Sequence, residues 1–83
     1  MRKLHSHKLV QKLGKVVIVT GHARQRTAER HIPLCDIELT LLAGRKAPGR
    51  DKSIRYQYGN VMVIAKHTSK KIVVITAYRD STA

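Results

Sequence analysis

The chain has no phenylalanine, no tryptophan, one cysteine, two prolines and only five acidic residues among 83. Each shortage excludes something. Without Phe or Trp the core must be built from aliphatic side chains, and Tyr56, Tyr58 and Tyr78 are the only aromatic groups. A chain this short buries only about 60–65% of the surface its unfolded form exposes, so that core is also small. The lone Cys35 cannot close an internal disulfide, which points to a reducing compartment, the cytoplasm. Its place in an apolar helical pattern predicts a buried, inert thiol. No apolar run approaches the ~20 residues that a membrane-spanning helix requires. Gln11 and Lys12 interrupt Leu9–Leu13, so neither a membrane segment nor the apolar heart of a secretory signal is expected.

The scarcity of acid leaves a large excess of base. Seventeen Lys and Arg against five Asp and Glu give a net charge of +12. Such an excess repels itself in the compact state, and a polyanionic partner relieves the repulsion. Nucleic acid is the first candidate, with an anionic surface or an acidic protein next. A single domain over 1–83 is expected, with residues 1–14 as a basic arm or short amphipathic helix and 15–79 as the core. His5 and His7 lie in that arm without a Cys or carboxylate close by, so they give no metal-ligand pattern.

Along the core, Val16, Val17, Ile18 and Val19 form a β-branched run that predicts a strand. Thr20 follows as an N-cap, and Thr20–Ile32 reads as a short helix whose small residues Ala23 and Thr27 let it lie close to a sheet. Pro33 opens a second helix in which Leu34, Ile37 and Leu41 recur at helical spacing. Gly44 is placed just past its end, as a C′ residue. Residues 44–52, with Arg45, Lys46 and Arg50, read as a basic loop: a solvated connector or an arm that grips phosphates. Three strands follow, Ser53–Tyr58, Val61–Lys66 and Lys71–Arg79. Gly59-Asn60 joins the first two as a two-residue hairpin, and a turn that leaves His67 in solvent joins the last two. Strict alternation puts Ile72, Val74, Thr76 and Tyr78 on one face of the last strand and Val73, Ile75 and Ala77 on the other. The expected fold class is α+β: two short helices packed on an antiparallel sheet of about four strands.

His22, Arg26 and Arg30 recur every four residues, a drift of only about 40° per step, so they share one stripe of the first helix. Glu29 lies beside them, three residues after Arg26, a spacing that also suits an ordinary pair on a solvated face. An imidazole and two guanidinium groups on one stripe suit a phosphodiester, because histidine moves protons near neutrality and arginine offers a planar fork to phosphate oxygens.

The string His22-Ala23…Arg26…Arg30-His31-Ile32 resembles the helical opening H-A-x-x-R-x-x-E-R-G-I of a small bacterial and phage domain family. That family ends near V-x-T-x-Y-R, as Val74-Ile75-Thr76-Ala77-Tyr78-Arg79 does here. Two positions differ. His31 stands where the family carries Gly, and Pro33 occupies a region that usually holds a polar helix cap. The family is similar to the barnase–RelE superfold of small ribonucleases, many of them toxins. The resemblance implies a metal-independent endoribonuclease that needs no cofactor. In such a site His22 would act as base or acid, Arg26 and Arg30 would hold the phosphate, Tyr78 would donate a proton or stack on a base, and Thr76 would orient His22 or the phosphate. This requires Thr76 and Tyr78 to face the His22 stripe. Arg24, Arg45, Lys46, Arg50, Arg55, Tyr56 and Arg79 are the expected nucleic-acid contacts. The partner is then RNA. The alternatives are a non-enzymatic nucleic-acid-binding or inhibitor protein of a mobile element, and a docking module for an acidic protein such as an antitoxin.

Overall fold

Four β-branched residues in succession favour the pleated conformation, and they form the strand β2, Val16–Val19. The computed structural model describes residues 2–4 and 14–80. Its elements run β1 (Arg2–Leu4), β2, α1 (Gly21–Glu29), α2 (Leu34–Ala43), β3 (Arg45–Pro48), a 3₁₀ turn (Arg50–Lys52), β4 (Ile54–Tyr58), β5 (Val61–His67) and β6 (Lys71–Arg79). The architecture is α+β: two helices on a mixed sheet of order β2-β6-β5-β4-β3, extended at the β2 edge by β1. The arm or helix expected over 1–14, with His5 and His7, falls outside the described residues except for β1.

The sheet is therefore neither four-stranded nor wholly antiparallel. β2 pairs with β6 in parallel, Val16 opposite Lys71 through Val19 opposite Val74. The reason is connectivity. A parallel pair needs a long crossover, and here the two helices carry the chain to the far edge, where β3 starts a meander that returns through β4 and β5 to β6. Residues 45–48, expected in a loop, are the edge strand of that meander, Arg45 opposite Gln57 and Pro48 opposite Ile54.

Thr20 caps α1: its hydroxyl oxygen accepts from the Ala23 amide at 3.0 Å and its hydroxyl donates to the Val74 carbonyl at 3.2 Å. One side chain thus satisfies an orphan helix donor and ties the helix start to β6. Ala23 and Thr27 are buried, and the Thr27 hydroxyl is satisfied by the Arg24 carbonyl at 3.0 Å. The helix ends in a pair of bonds, His31 N–H to the Ala28 carbonyl at 3.2 Å and Ile32 N–H to the Thr27 carbonyl at 2.9 Å. These define a Schellman cap whose turning residue is left-handed. That residue is His31, at φ 55°.

α2 buries Ile37, Thr40 and Leu41 against β4 and β5. Cys35, expected to be buried, is exposed; it falls on the outer side of the helix, because the inward stripe is set by positions 37, 40 and 41. Gly44 is not a left-handed C′ residue either. Its backbone is extended, φ −74° and ψ 160°, and a Cβ there would lie 2.4 Å from the Thr40 carbonyl oxygen and 2.8 Å from that of Gln57. Glycine is required by the close approach of α2 to β4, not by dihedral angle.

The core lies between the helices and one sheet face. It comprises Val17, Val19, Ala23, Ile32, Ile37, Leu41, Tyr56, Val61, Val63, Ala65, Ile72, Val74 and Ala77. The presence of Ile72, Val74 and Ala77 together breaks strict alternation. Ile64 pairs with Thr76 but Ala65 pairs with Val74, so Ile75 is the extra residue of a β-bulge. A one-residue slip moves every later side chain to the other face. Thr76 and Tyr78, expected beside Ile72 and Val74, consequently lie on the face turned away from the helices.

Candidate nucleic-acid interface

The sheet face turned away from the helices is open at Arg55 and buried at Ile18 and Met62, and five of the expected site residues, Arg30, Arg50, Arg55, Thr76 and Tyr78, lie on it or at its rim. Arg55 on β4 is opposite Ile64 on β5, and Ile64 is opposite Thr76 on β6. These three form one row across the sheet, with neighbouring strands about 4.8 Å apart. Tyr78 is in the next row, opposite Met62. β2 turns away into α1 after Val19, so among the described residues no strand pairs with the outer edge of β6 from Ile75 onward. Arg30 fills that gap: its Nη1 donates to the Ala77 carbonyl at 2.8 Å and lies 3.4 Å from Thr76 Oγ1. The guanidinium thus satisfies a carbonyl on the outer edge of β6 and brings its charge to the rim of the open face.

A cleft of about 390 Å³ opens on this face, lined by Pro48, Gly49, Arg50, Ser53, Arg55, Ile64 and Tyr78. The 49–53 segment that forms one wall is held tightly. Ser53 is buried and its hydroxyl donates to the Arg50 carbonyl at 2.6 Å; the Gly49 amide donates to the Ser53 carbonyl at 2.9 Å. A Cβ on Gly49 would lie 2.4 Å from Ser53 Oγ. Asp51 and Lys52 both adopt left-handed backbone, φ 54° and 63°, a conformation that costs roughly 1–2 kcal/mol per non-glycine residue. Strain of this kind persists where the surroundings over-determine it and clusters at functional sites. Composition alone marked 44–52 as basic; the cleft also uses Ser53 and Ile64, which the sequence did not distinguish from ordinary turn and strand residues.

The helix stripe is not assembled with this cleft. His22 is exposed on α1, away from the cleft. Arg26 is exposed and pairs with Glu29 at 3.2 Å, the ordinary surface pair that its spacing allows. Only Arg30, at the helix end, reaches β6. Arg24 is exposed on α1, and Arg45 and Lys46 are exposed on β3. Arg79 stays on the helix side: its Nη2 donates to the His31 carbonyl at 3.2 Å and lies 3.8 Å from the Asp36 carboxylate, while Nη1 donates to Asn60 Oδ1 at 3.4 Å. It ties the end of β6 to the start of α2.

Tyr56, expected to touch nucleic acid, is fully buried in the core. Odd and even positions of β4 face opposite ways, so Arg55 is on the open face and Tyr56 under the helices. Its phenol is bonded to His67 Nε2, and the two rings stack with centroids 6.0 Å apart. His67 is thus partly buried rather than free in its turn. Lys15 Nζ lies 3.4 Å from His67 Nδ1. An ammonium can only donate, so Nδ1 accepts and the neutral ring carries its proton on Nε2, directed at the Tyr56 oxygen. Burial lowers the His67 pKa below 6.5, and the charges of Lys15 and Lys46 lower it further. Burial raises that of Tyr56. Both groups are held neutral.

Among the described residues, no group of three His, Cys, Asp or Glu side chains converges to hold a metal ion, and no helix is long and apolar enough to cross a membrane. A protein-family model described as a domain of unknown function, DUF4258, matches residues 19–79, from the end of β2 to the end of β6. No curated protein and no solved structure matches the chain.

Proposed function

The chain belongs to the DUF4258 family of domains of unknown function, and from the geometry of its open face we propose that it binds RNA there, in the cytoplasm. The observation that carries this reading is the convergence of Arg50 and Arg55 with Tyr78 around one cleft, with Arg30 and Thr76 together at the neighbouring edge of β6. Guanidinium groups fork onto phosphate oxygens. Tyr78 and Ile64 offer a flat, apolar surface on which an unstacked base can lie, the usual way of reading single strands. The net charge of +12 supplies attraction at longer range.

A ribonuclease of the barnase–RelE type is the second reading, and the phenol of Tyr78 in the same cleft as two arginines favours it. In that reaction the 2′-oxygen attacks phosphorus as its proton passes to a water molecule, the bond to the 5′-oxygen breaks, and that oxygen takes a proton. Arg50 and Arg55 would stabilise the extra charge on the phosphorane, the largest catalytic effect in most such sites, and Tyr78 would protonate the leaving oxygen. His22 has no part in this version.

Short single-stranded RNA, titrated at several salt concentrations in EDTA, tests both readings. Binding should fall steeply with salt, and Arg55→Ala should weaken it about tenfold. Binding that ignores salt and Arg55 overturns the proposal. RNA cleaved by wild type and by His22→Ala but not by Tyr78→Phe supports the ribonuclease. RNA left intact by wild type, or cleaved equally by Tyr78→Phe, removes that second reading.

A further inference from the structure

The helix side of the sheet, at the end where β2 begins and β5 ends, carries a group of positive side chains. Lys15 leads into β2 and the Val16 amide donates to the Lys70 carbonyl at 3.2 Å, which sets Lys15 beside the β5–β6 turn. There its ammonium lies 3.4 Å from His67 Nδ1. Lys46 approaches from β3, 5.9 Å from the centre of the Tyr56 ring on which His67 stacks. Lys70 and Lys71 flank the same turn and are exposed. The chain has five acidic residues. Glu29 pairs with Arg26 and Asp36 with Arg79, Glu38 lies on α2, Asp51 in the 3₁₀ turn and Asp80 just beyond β6. The only charges felt by His67 among the described residues are those of Lys15 and Lys46. Lys15 at the imidazole and Lys46 beside the Tyr56 ring stacked on it repel each other, and an anion seated among them would remove that repulsion.

We propose that Lys15, His67 and Lys46 form a second binding site, for a phosphate-bearing anion, separate from the open-face cleft. Lys15 precedes β2, Lys46 is on β3 and His67 ends β5, so the sheet brings three distant parts of the chain to one corner. Protonation of His67 turns Nδ1 from an acceptor into a donor, releasing the Lys15 ammonium to point outward beside it. The imidazolium and the ammonium then present two charged donors a few ångströms apart, a match for two oxygens of one phosphate. Tyr56 holds the ring in place by stacking and through its bond to Nε2. The anion is either a free phosphate or a phosphate of a nucleic-acid chain.

The test is an NMR titration of the His67 ring, assigned with His67→Gln, in chloride and in inorganic phosphate at matched ionic strength. Phosphate should move the ring's titration upward by at least about half a pH unit. The Lys15→Met/Lys46→Met double variant should bind phosphate at least about tenfold more weakly, while Arg55→Ala should leave the response unchanged. Oligoribonucleotides with and without a 5′-phosphate distinguish the sources. A response to the phosphorylated one alone identifies a terminal phosphate, and a response to both identifies the backbone. Identical ring titrations in chloride and phosphate, or undiminished phosphate affinity in the double variant, overturn the proposal whatever happens at the open-face cleft.

Discussion

Replacing His31 by glycine should make the protein more stable, although it removes a whole side chain. His31 is the turning residue of the cap that ends α1, at φ 55°, where an L-residue with a Cβ is strained by roughly 1–2 kcal/mol. Glycine carries no such strain, but it gains freedom in the unfolded chain, which takes back about 0.5–1 kcal/mol. The difference is about 0.5–1 kcal/mol in favour of the variant. Little else is lost. The side chain is exposed, and both cap bonds and the bond from Arg79 use backbone atoms of residues 31 and 32. In a domain of this size 1 kcal/mol corresponds to about 4–8 °C in Tm, so His31→Gly should melt roughly 2–8 °C higher. Urea denaturation should give a higher midpoint with an unchanged slope. His31→Ala, which keeps the Cβ, should show no such gain. A His31→Gly protein that melts below wild type would refute the assignment of residue 31 as a strained left-handed cap.

Gly44→Ala should be severe, because the new methyl meets two backbone carbonyl oxygens at 2.4 and 2.8 Å that cannot swing aside. A loss of about 2–4 kcal/mol is expected from the urea midpoint, and wild-type stability would show that α2 and β4 are not in such close approach. Deleting Ile75 removes the extra residue of the bulge and leaves Thr76 opposite Ile64 and Ala77 opposite Val63, so the faces of β6 are kept. The deletion should therefore cost less than about 3 kcal/mol by the urea midpoint, and a protein that no longer folds would mean that Ile75 is not the extra residue. The folded-state pKa of His67 lies below its ordinary value, through burial and through Lys15 and Lys46. The unfolded chain therefore binds the proton more readily, so the contribution of His67 is fully present above about pH 6.5 and is lost as pH falls below it. Thermal melts from pH 7.5 to 5 should show this loss in wild type and less of it in His67→Gln; parallel curves would refute it.

Side-chain type and order settle which residues could form elements and that the chain carries a net charge of +12. The β-branched run at 16–19, the Thr20 cap, the inward stripe of α2 and the Gly59-Asn60 hairpin are local consequences of side-chain shape and spacing. The charge is a matter of counting. The site was legible only in part. Arg30, Thr76, Tyr78, Arg50 and Arg55 were marked by type, but their meeting place was not, because a face is a property of register and register belongs to a pair of strands. One unpaired residue, Ile75, turns Thr76 and Tyr78 away from the helix that carries His22, and nothing in the alternation from Lys71 to Arg79 announces it. Parallel pairing of β2 with β6 was equally hidden, since it depends on where a crossover of two helices sets the chain down. The burial of Tyr56 and of His67, expected in solvent, was hidden for the same reason. Their burial is decided by neighbours from β2, β3 and α2, which lie far away along the chain and are brought close only by the folded sheet.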